Sequence, residues 1–288
     1  MILHEPNPWA LLSLALARPR IPLAIWFHSD VIRPRLQYRV FYAPVARPAY
    51  DRAVRFVVSS PALGDALAAL RGYRDRIAVI PFGIDASAWE ADDAIRARAA
   101  SLRATAGRPI VLFVGRLVPY KGVDVLLAAA APLDVRVVIA GAGPMAESWK
   151  RAAAANTARA DIEFTGPLTD GEVKARLHSA DVLVLPSITS AEAFGVVQLE
   201  AMASGTPVVS TSVASGVPWV NRNEETGLVV PPGDALSLRR ALERLLSDAP
   251  LRARFGAAGV ARVRSTFSLP AMADRLVALC EAVAGPGR

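Results

Sequence analysis

Residues 181–211 read Asp181-Val-Leu-Val-Leu-Pro186-Ser-Ile-Thr-Ser-Ala-Glu192-Ala-Phe-Gly195-Val-Val-Gln-Leu-Glu200-Ala-Met-Ala-Ser-Gly205-Thr-Pro207-Val-Val-Ser-Thr211. The short apolar run 182–185 predicts a buried strand stopped by Pro186. A polar loop follows. Phe194-Gly195 is expected to open a helix that ends near Gly205, with Pro207 just beyond it. The pair 208–209 then begins another strand. Strand, loop, helix and strand in this order make one repeat of a parallel α/β sheet.

The chemistry of this repeat is expected in its loop and first helical turn. Gly195 lets backbone approach a ligand closely. The amides of Gly195, Val196 and Val197 would lie at a positive helix end, which suits phosphate. Glu192 precedes the helix and Glu200 falls in its second turn. Two carboxylates repel phosphate, so they are better suited to accept hydrogen bonds from sugar hydroxyls. Spacing alone is equally met by an ordinary βα repeat with two solvated glutamates, because acids are favoured near helix N-termini.

Glu192 and Glu200, with seven residues between them, Phe194-Gly195 inside and Glu200-Ala-Met-Ala-Ser-Gly-Thr-Pro-Val-Val after, resemble the E-x7-E motif of retaining glycosyltransferases. The resemblance is to the family-4, or group 1, type with the GT-B fold. Further stretches follow in that family's order. Gly115-Arg116-Leu-Val-Pro-Tyr-Lys121-Gly122 resembles its G-R-L-x-x-x-K-G donor-phosphate run. Gly227 to Asp234 resembles its G-L-x-V-x-x-G-D stretch. Val79-Ile-Pro-Phe-Gly-Ile-Asp85 resembles the end of its N-terminal domain.

Read as residues, the segment around Arg116 is a strand at 110–114, a glycine turn and a helix at 123–130. Two cations at a strand's carboxyl end suit a diphosphate, Arg as a fork and Lys as a point charge. A surface loop with two solvated cations fits the same spacing. Gly141-Ala-Gly143 is a tight turn that at most lines a base pocket. It lacks the third glycine and the downstream acid of a dinucleotide fingerprint. A strand at 162–164 leads to Thr165-Gly166, and a helix at 170–179 is expected to be capped near Thr169. The resemblance puts Gly166 near the nucleobase.

The first 85 residues look like part of a domain. Strands are expected at 21–28, 56–60 and 77–80. His28 closes the first of these, in the segment His28-Ser29-Asp30. A lone histidine at a strand end is often structural, whereas the resemblance points His28 into the cleft near the transferred sugar. His4-Glu5-Pro6-Asn7-Pro8 resembles another strand end of the same domain. In relatives a first strand and a glycine-rich loop precede this point, so the N-terminal domain is expected to be incomplete. The basic and aromatic residues of 33–47 suit a phosphorylated or lipid-linked acceptor, or a solvated helix face.

The chain has 288 residues, enough for two domains, with 53% hydrophobic and 20% charged residues. That composition excludes disorder. One cysteine, Cys280, excludes an intrachain disulfide and fits a reducing compartment. Three histidines and one cysteine argue against a structural zinc site. The net charge of +7 is compatible with nucleic acid, an anionic membrane surface, a phosphorylated ligand or simply an arginine-rich composition. No polybasic block and no nucleic-acid-binding motif accompany it. No apolar run reaches roughly 18 residues, and the short run 9–17 lacks the basic leader of a signal peptide.

The expected fold is thus α/β of GT-B type, with two Rossmann-like domains. The division is 1–85 for an incomplete acceptor-side domain, 86–107 for a linker with a helix of its own, 108–266 for the donor domain, and 267–288 for a helix crossing back. The resemblance implies a bacterial enzyme of polysaccharide or glycolipid synthesis, cytoplasmic and peripheral at the inner membrane face. It would move a sugar from a UDP- or GDP-linked donor to a lipid-linked or saccharide acceptor, with retention, no metal and no cofactor. His28, Arg116, Lys121 and Glu192 carry catalysis in that reading. Gly166, Phe194, Gly195, Val196, Val197 and Glu200 join Arg116, Lys121 and Glu192 in holding the donor. A nucleotide-sugar-binding fragment without turnover is the alternative, and another GT-B enzyme, such as an epimerase or a glycan polymerase, is a third.

Overall fold

Leu23-Ala-Ile-Trp-Phe27 has no polar side chain, so it can settle only where both faces of a sheet are covered. In the computed structural model it is strand β2 (Leu23–Phe27), buried at every residue. The structure describes all residues except 18, 29–41, 156–158 and 285–288. With β1 (Ile2–Glu5), β3 (Ala53–Val58) and β4 (Ile77–Val79), β2 makes a parallel sheet in the order β1-β2-β3-β4. One face packs Leu3, Ile25, Phe27, Phe56 and Val58 against Leu11 of the helix Pro8–Ala17 and Tyr50 of the helix Ala43–Arg52. The other face presents Trp26, Val57 and Ile80, covered by Leu279 of the last helix, Leu269–Ala284. The first unit is therefore discontinuous, Met1–Phe82 with Pro270–Arg288.

The second unit is Gly83–Leu269. Its strands are β5 (Ile110–Val114), β6 (Arg136–Ala140), β7 (Asp161–Gly166), β8 (Val182–Leu185), β9 (Val208–Thr211) and β10 (Gly227–Val230). They pair in parallel in the order β10-β9-β8-β5-β6-β7. From β5 the chain first builds outward through β6 and β7. It then returns to β5's other side and builds outward again through β8, β9 and β10. The order reverses between β5 and β8, and such a switch point opens a crevice at the strands' carboxyl ends. The loops after β5 and β8 are neighbours for this reason, and they carry the two motifs singled out above.

Residues 86–107, read from sequence as a linker, lie within the second unit. Their alanine-rich pattern forms the helix Asp93–Ala106. Asp92 caps it by accepting from the Ile95 amide at 2.8 Å, and Gly107 ends it in the left-handed region. The helix Asp170–Ser179 carries the expected cap, a reciprocal pair between Thr169 and Glu172. The helix after Gly195 is shorter than expected, Val197–Ala203. Gly195 has φ +72°, which no right-handed helix can include, so the helix starts two residues later.

Candidate functional site

Backbone contact between the two loops comes first. Gly122 has φ +66°, and a Cβ there would stand 2.1 Å from the Pro186 carbonyl oxygen. The Ile188 amide donates to the Tyr120 carbonyl at 2.8 Å. The loop after β6 presses on the same place from the other side. A Cβ on Gly141 or Gly143 would meet the carbonyl oxygens of Gly115 at 1.9 Å or Leu117 at 2.3 Å. The Gly-x-Gly there thus serves backbone packing on the Gly115–Leu117 turn. Gly122→Ala is expected to lower stability by roughly 2–3 kcal/mol, from left-handed strain plus overlap with backbone. Urea unfolding of the variant beside the parent checks this.

This backbone contact delivers Lys121 to Glu192. The ammonium Nζ is 2.5 Å from Glu192 Oε2, and the two residues are only 9% and 8% exposed. Ser187 Oγ donates to the same carboxylate oxygen at 3.1 Å, while Thr211 Oγ1 donates to the Ser187 carbonyl at 2.5 Å. Glu192 is therefore held by a cation and a hydroxyl, with Thr211 fixing the hydroxyl's backbone. Arg116 is exposed, and its guanidinium has no ion-pair partner among the described residues. It is the free cation of the pair expected from sequence, because Lys121 already faces a carboxylate.

Glu200 lies in the first turn of the short helix and is set differently. Burial, reinforced by the nearby Asp170 charge, pushes its carboxyl up to about 7. Asp170 begins the helix that follows Thr165-Gly166. Gly166 has φ +74°, and no atom lies within 4 Å of where its Cβ would be, so the turn faces open space.

Phe194 departs from the expectation that it touches the donor. Its ring is 3% exposed and meets Trp219 and Phe267 edge-on, at centroid separations of 6.4 and 6.0 Å. Any contact it makes with a ligand falls to its backbone. Val197 turns inward against the cluster of Leu185, Val213 and Val217, whereas Val196 is exposed. The helix beyond Gly195 has seven residues, so its dipole is small and phosphate charge falls mainly to Arg116 and Lys121. His28 belongs to the first unit, at the end of β2, with its Nε2 2.7 Å from His4 Nδ1. Ser29 and Asp30 of its segment, and 33–41 of the basic stretch, lie outside the described residues. No group of three or more His, Cys, Asp or Glu side chains is placed to hold a metal ion among the described residues.

A family model described as glycosyl transferases group 1 matches residues 95–262, and one described as glycosyltransferase family 4 matches residues 2–88. The chain belongs to the group 1 glycosyltransferases. This glycosyltransferase is 33% identical over 266 residues to the D-rhamnosyltransferase WbpZ of Pseudomonas aeruginosa, covering 92% of this chain and 68% of that one. It is 34% identical over 296 residues to the phosphatidyl-myo-inositol mannosyltransferase of Mycobacterium leprae, covering 99% and 74%. The crystal structure of Anabaena Alr3699/HepE in complex with UDP superposes with a TM-score of 0.80, over 97% of this chain and 78% of that one. Its identity is 21%, so that likeness speaks for the fold, which is the expected GT-B type.

Two residues of this glycosyltransferase's site escaped the sequence reading. Ser187 follows the proline that ends β8, and a hydroxyl at a strand's carboxyl end is itself a signal. Gln198 is fully buried and donates from Nε2 to the Phe194 carbonyl at 3.0 Å, tying down the turn at Gly195. In sequence it is one more polar residue in an amphipathic helix.

Proposed function

We propose that this glycosyltransferase binds a nucleoside diphosphate sugar in its second unit and transfers the sugar with retention of configuration and without a metal. The observation that carries the reading is the buried Lys121–Glu192 pair, which joins the G-R-L-V-P-Y-K-G run to the E-x7-E motif at the sheet's switch point. Transfer breaks the bond between the anomeric carbon and a diphosphate oxygen, forms one from that carbon to an acceptor hydroxyl oxygen on the same face, and passes the hydroxyl's proton to the departing diphosphate. Negative charge grows on the departing diphosphate, and the prepositioned cations of Arg116 and Lys121 stabilise it. Glu192 fixes hydroxyls of the transferred sugar, with Ser187 holding its carboxylate. Glu200 accepts from the ribose hydroxyls, and Gly166 leaves room for the base. The acceptor is a saccharide or a lipid-linked molecule, the latter in line with the phosphatidyl-myo-inositol in one relative's name.

Thermal shifts with UDP-, GDP- and ADP-linked sugars test the donor site and name its base. A ligand at 100 times its dissociation constant adds about 2.7 kcal/mol. One nucleotide is expected to shift the parent strongly and Arg116→Ala weakly. Folded protein that responds to none of them rules the donor site out.

The acceptor side points to a membrane surface. Trp9, Leu12 and Leu16 recur along the helix Pro8–Ala17 and are exposed, Trp9 by 76% and Leu16 by 77%. The first unit has thirteen Lys and Arg against seven Asp and Glu, so six of the chain's seven net charges reside there. No described helix is long and apolar enough to cross a membrane. An apolar face on a basic unit suits binding in the interface of anionic lipid. Cosedimentation with phosphatidylglycerol vesicles is expected to drop several-fold in Trp9→Ser/Leu16→Ser and to weaken with salt. Equal binding to neutral phosphatidylcholine vesicles would remove the electrostatic half of the argument.

A further inference from the structure

The helices Pro8–Ala17 and Ala43–Arg52 lie side by side on one face of the first sheet. Between their first turns is a cavity of about 230 Å³, lined by Pro8, Trp9, Leu11, Leu12, Tyr42 and Val45. Leu11 is fully buried and joins the cavity to the core beneath. Tyr42 is fixed as a wall, because its hydroxyl donates to the buried Glu5 carboxylate, whose Oε2 also accepts from the Asn7 amide at 3.1 Å. Trp9 and Leu12 line the cavity and also reach solvent, at 76% and 37% exposure. Exposed Leu16 continues their stripe one turn further along the same helix face.

The chemistry of the lining selects its occupant. Its side chains carry two polar groups. The Tyr42 hydroxyl is spent on Glu5, and the Trp9 indole N–H belongs to a ring that stands mostly in solvent. A polar ligand or a peptide backbone entering the cavity would bury donors and acceptors without partners, which is costly. A hydrocarbon chain brings none. Size then decides how much of a lipid fits. Pockets that enclose a whole small ligand run to roughly 300–1,000 Å³. A cavity of about 230 Å³ holds part of one chain and leaves the rest of the molecule outside. Outside is a unit that carries six of the chain's seven net positive charges, which favours an anionic head group.

We infer that the cavity between these two helices seats one acyl chain of an anionic phospholipid drawn from the bilayer. This rests on the reading of the first unit as a membrane-binding surface and extends it from adsorption to capture of a single lipid. Trp9, Leu12 and Leu16 lie in the membrane interface, where an aromatic ring with one polar edge is at home. One tail leaves its neighbours in the leaflet, passes between Trp9 and Leu12, and ends beside Leu11.

Dioctanoylphosphatidylglycerol kept below its micelle concentration presents chains without a bilayer. Titration calorimetry on the full chain is expected to show saturable binding of one such lipid per protein. Glycerophosphoglycerol, which has the head group and no chains, is expected not to bind. Val45→Phe fills the cavity from within and is expected to weaken the monomeric lipid at least about tenfold. Leu12→Asp places a charge at the mouth, on a residue exposed enough to keep it hydrated, and is expected to abolish binding. A melting temperature near the parent's shows that each variant is folded. No saturable binding to the parent, or parent-like affinity in either folded variant, overturns the inference. If vesicles bind while the monomeric lipid does not, the cavity falls to an apolar side chain of a protein partner and the membrane reading survives. If vesicles do not bind, the membrane reading fails by itself, whatever the monomeric lipid does.

Discussion

Lys121→Met is expected to lower the stability of the second unit by about 3–5 kcal/mol and to reduce transfer to background. The stability loss follows from what stays behind. Among the described residues Glu192 then keeps only the Ser187 hydroxyl against its buried carboxylate, and an uncompensated buried charge is far worse than a missing pair. Adding Glu192→Gln to the same chain removes that charge while keeping an oxygen for Ser187. Most of the lost stability is then expected to return. Transfer is not, because the cation that meets the diphosphate is still absent and the carboxylate that fixes the sugar is now an amide. Urea unfolding and a transfer assay on both variants separate the two roles. If the double variant regains transfer, Lys121 serves only to neutralise Glu192, and the catalytic reading of the lysine fails.

Glu200→Gln has the opposite effect on stability. The Glu200 carboxyl has an ordinary value of 4.5 when the chain is unfolded and about 7 when it is folded. A raised folded value means that the folded state holds the proton more tightly. The corresponding stability is present below the ordinary value and is lost as pH rises through the folded one. Between about pH 4.5 and pH 8 the parent therefore loses up to roughly 3 kcal/mol from this group. Glutamine carries no charge to bury, so near pH 8 the variant is expected to melt roughly 5–10 °C higher. Its donor affinity is expected to fall at least tenfold, since an ionised carboxylate accepts more strongly than an amide. A melting temperature that tracks the parent's at every pH would show that Glu200 is ionised without penalty. Destabilisation and weakened nucleotide binding, separately measured, show whether the site stores strain that its ligand relieves.

The two sheets were legible because parallel strands covered on both faces must be apolar at successive positions, as at 23–27 and 182–185. The motif residues were legible through resemblance rather than spacing, which left solvated loops equally open. Contacts that arise only in the folded chain were not legible. Lys121 reads as a phosphate-binding cation, and nothing local shows that Glu192, far along the chain, will be 2.5 Å away. Phe194 sits inside a binding motif yet turns its ring toward Trp219 and Phe267, because Gly195 reverses the chain there. Residues 86–107 lacked a strand pattern and read as a connector with a helix of its own. That helix, bounded by Asp92 and Gly107, packs against the helix Asp170–Ser179 within the second unit, a contact no local signal announces. The helix Asp170–Ser179 was the converse case, since its Thr169–Glu172 cap is written in four adjacent residues.

The discontinuity of the first unit sets an order on biosynthesis. A ribosome makes Met1–Phe82 before Gly83–Leu269, and Pro270–Arg288 after it. Trp26, Val57 and Ile80 therefore emerge before the whole second unit, and the helix bearing Leu279 that shields them emerges after it. The second unit is contiguous and complete before that helix appears, so it is free to fold first. The first unit's strands are thus made before the second unit yet mature after it, and throughout the synthesis of that unit their naked sheet face is the surface that chaperones would meet.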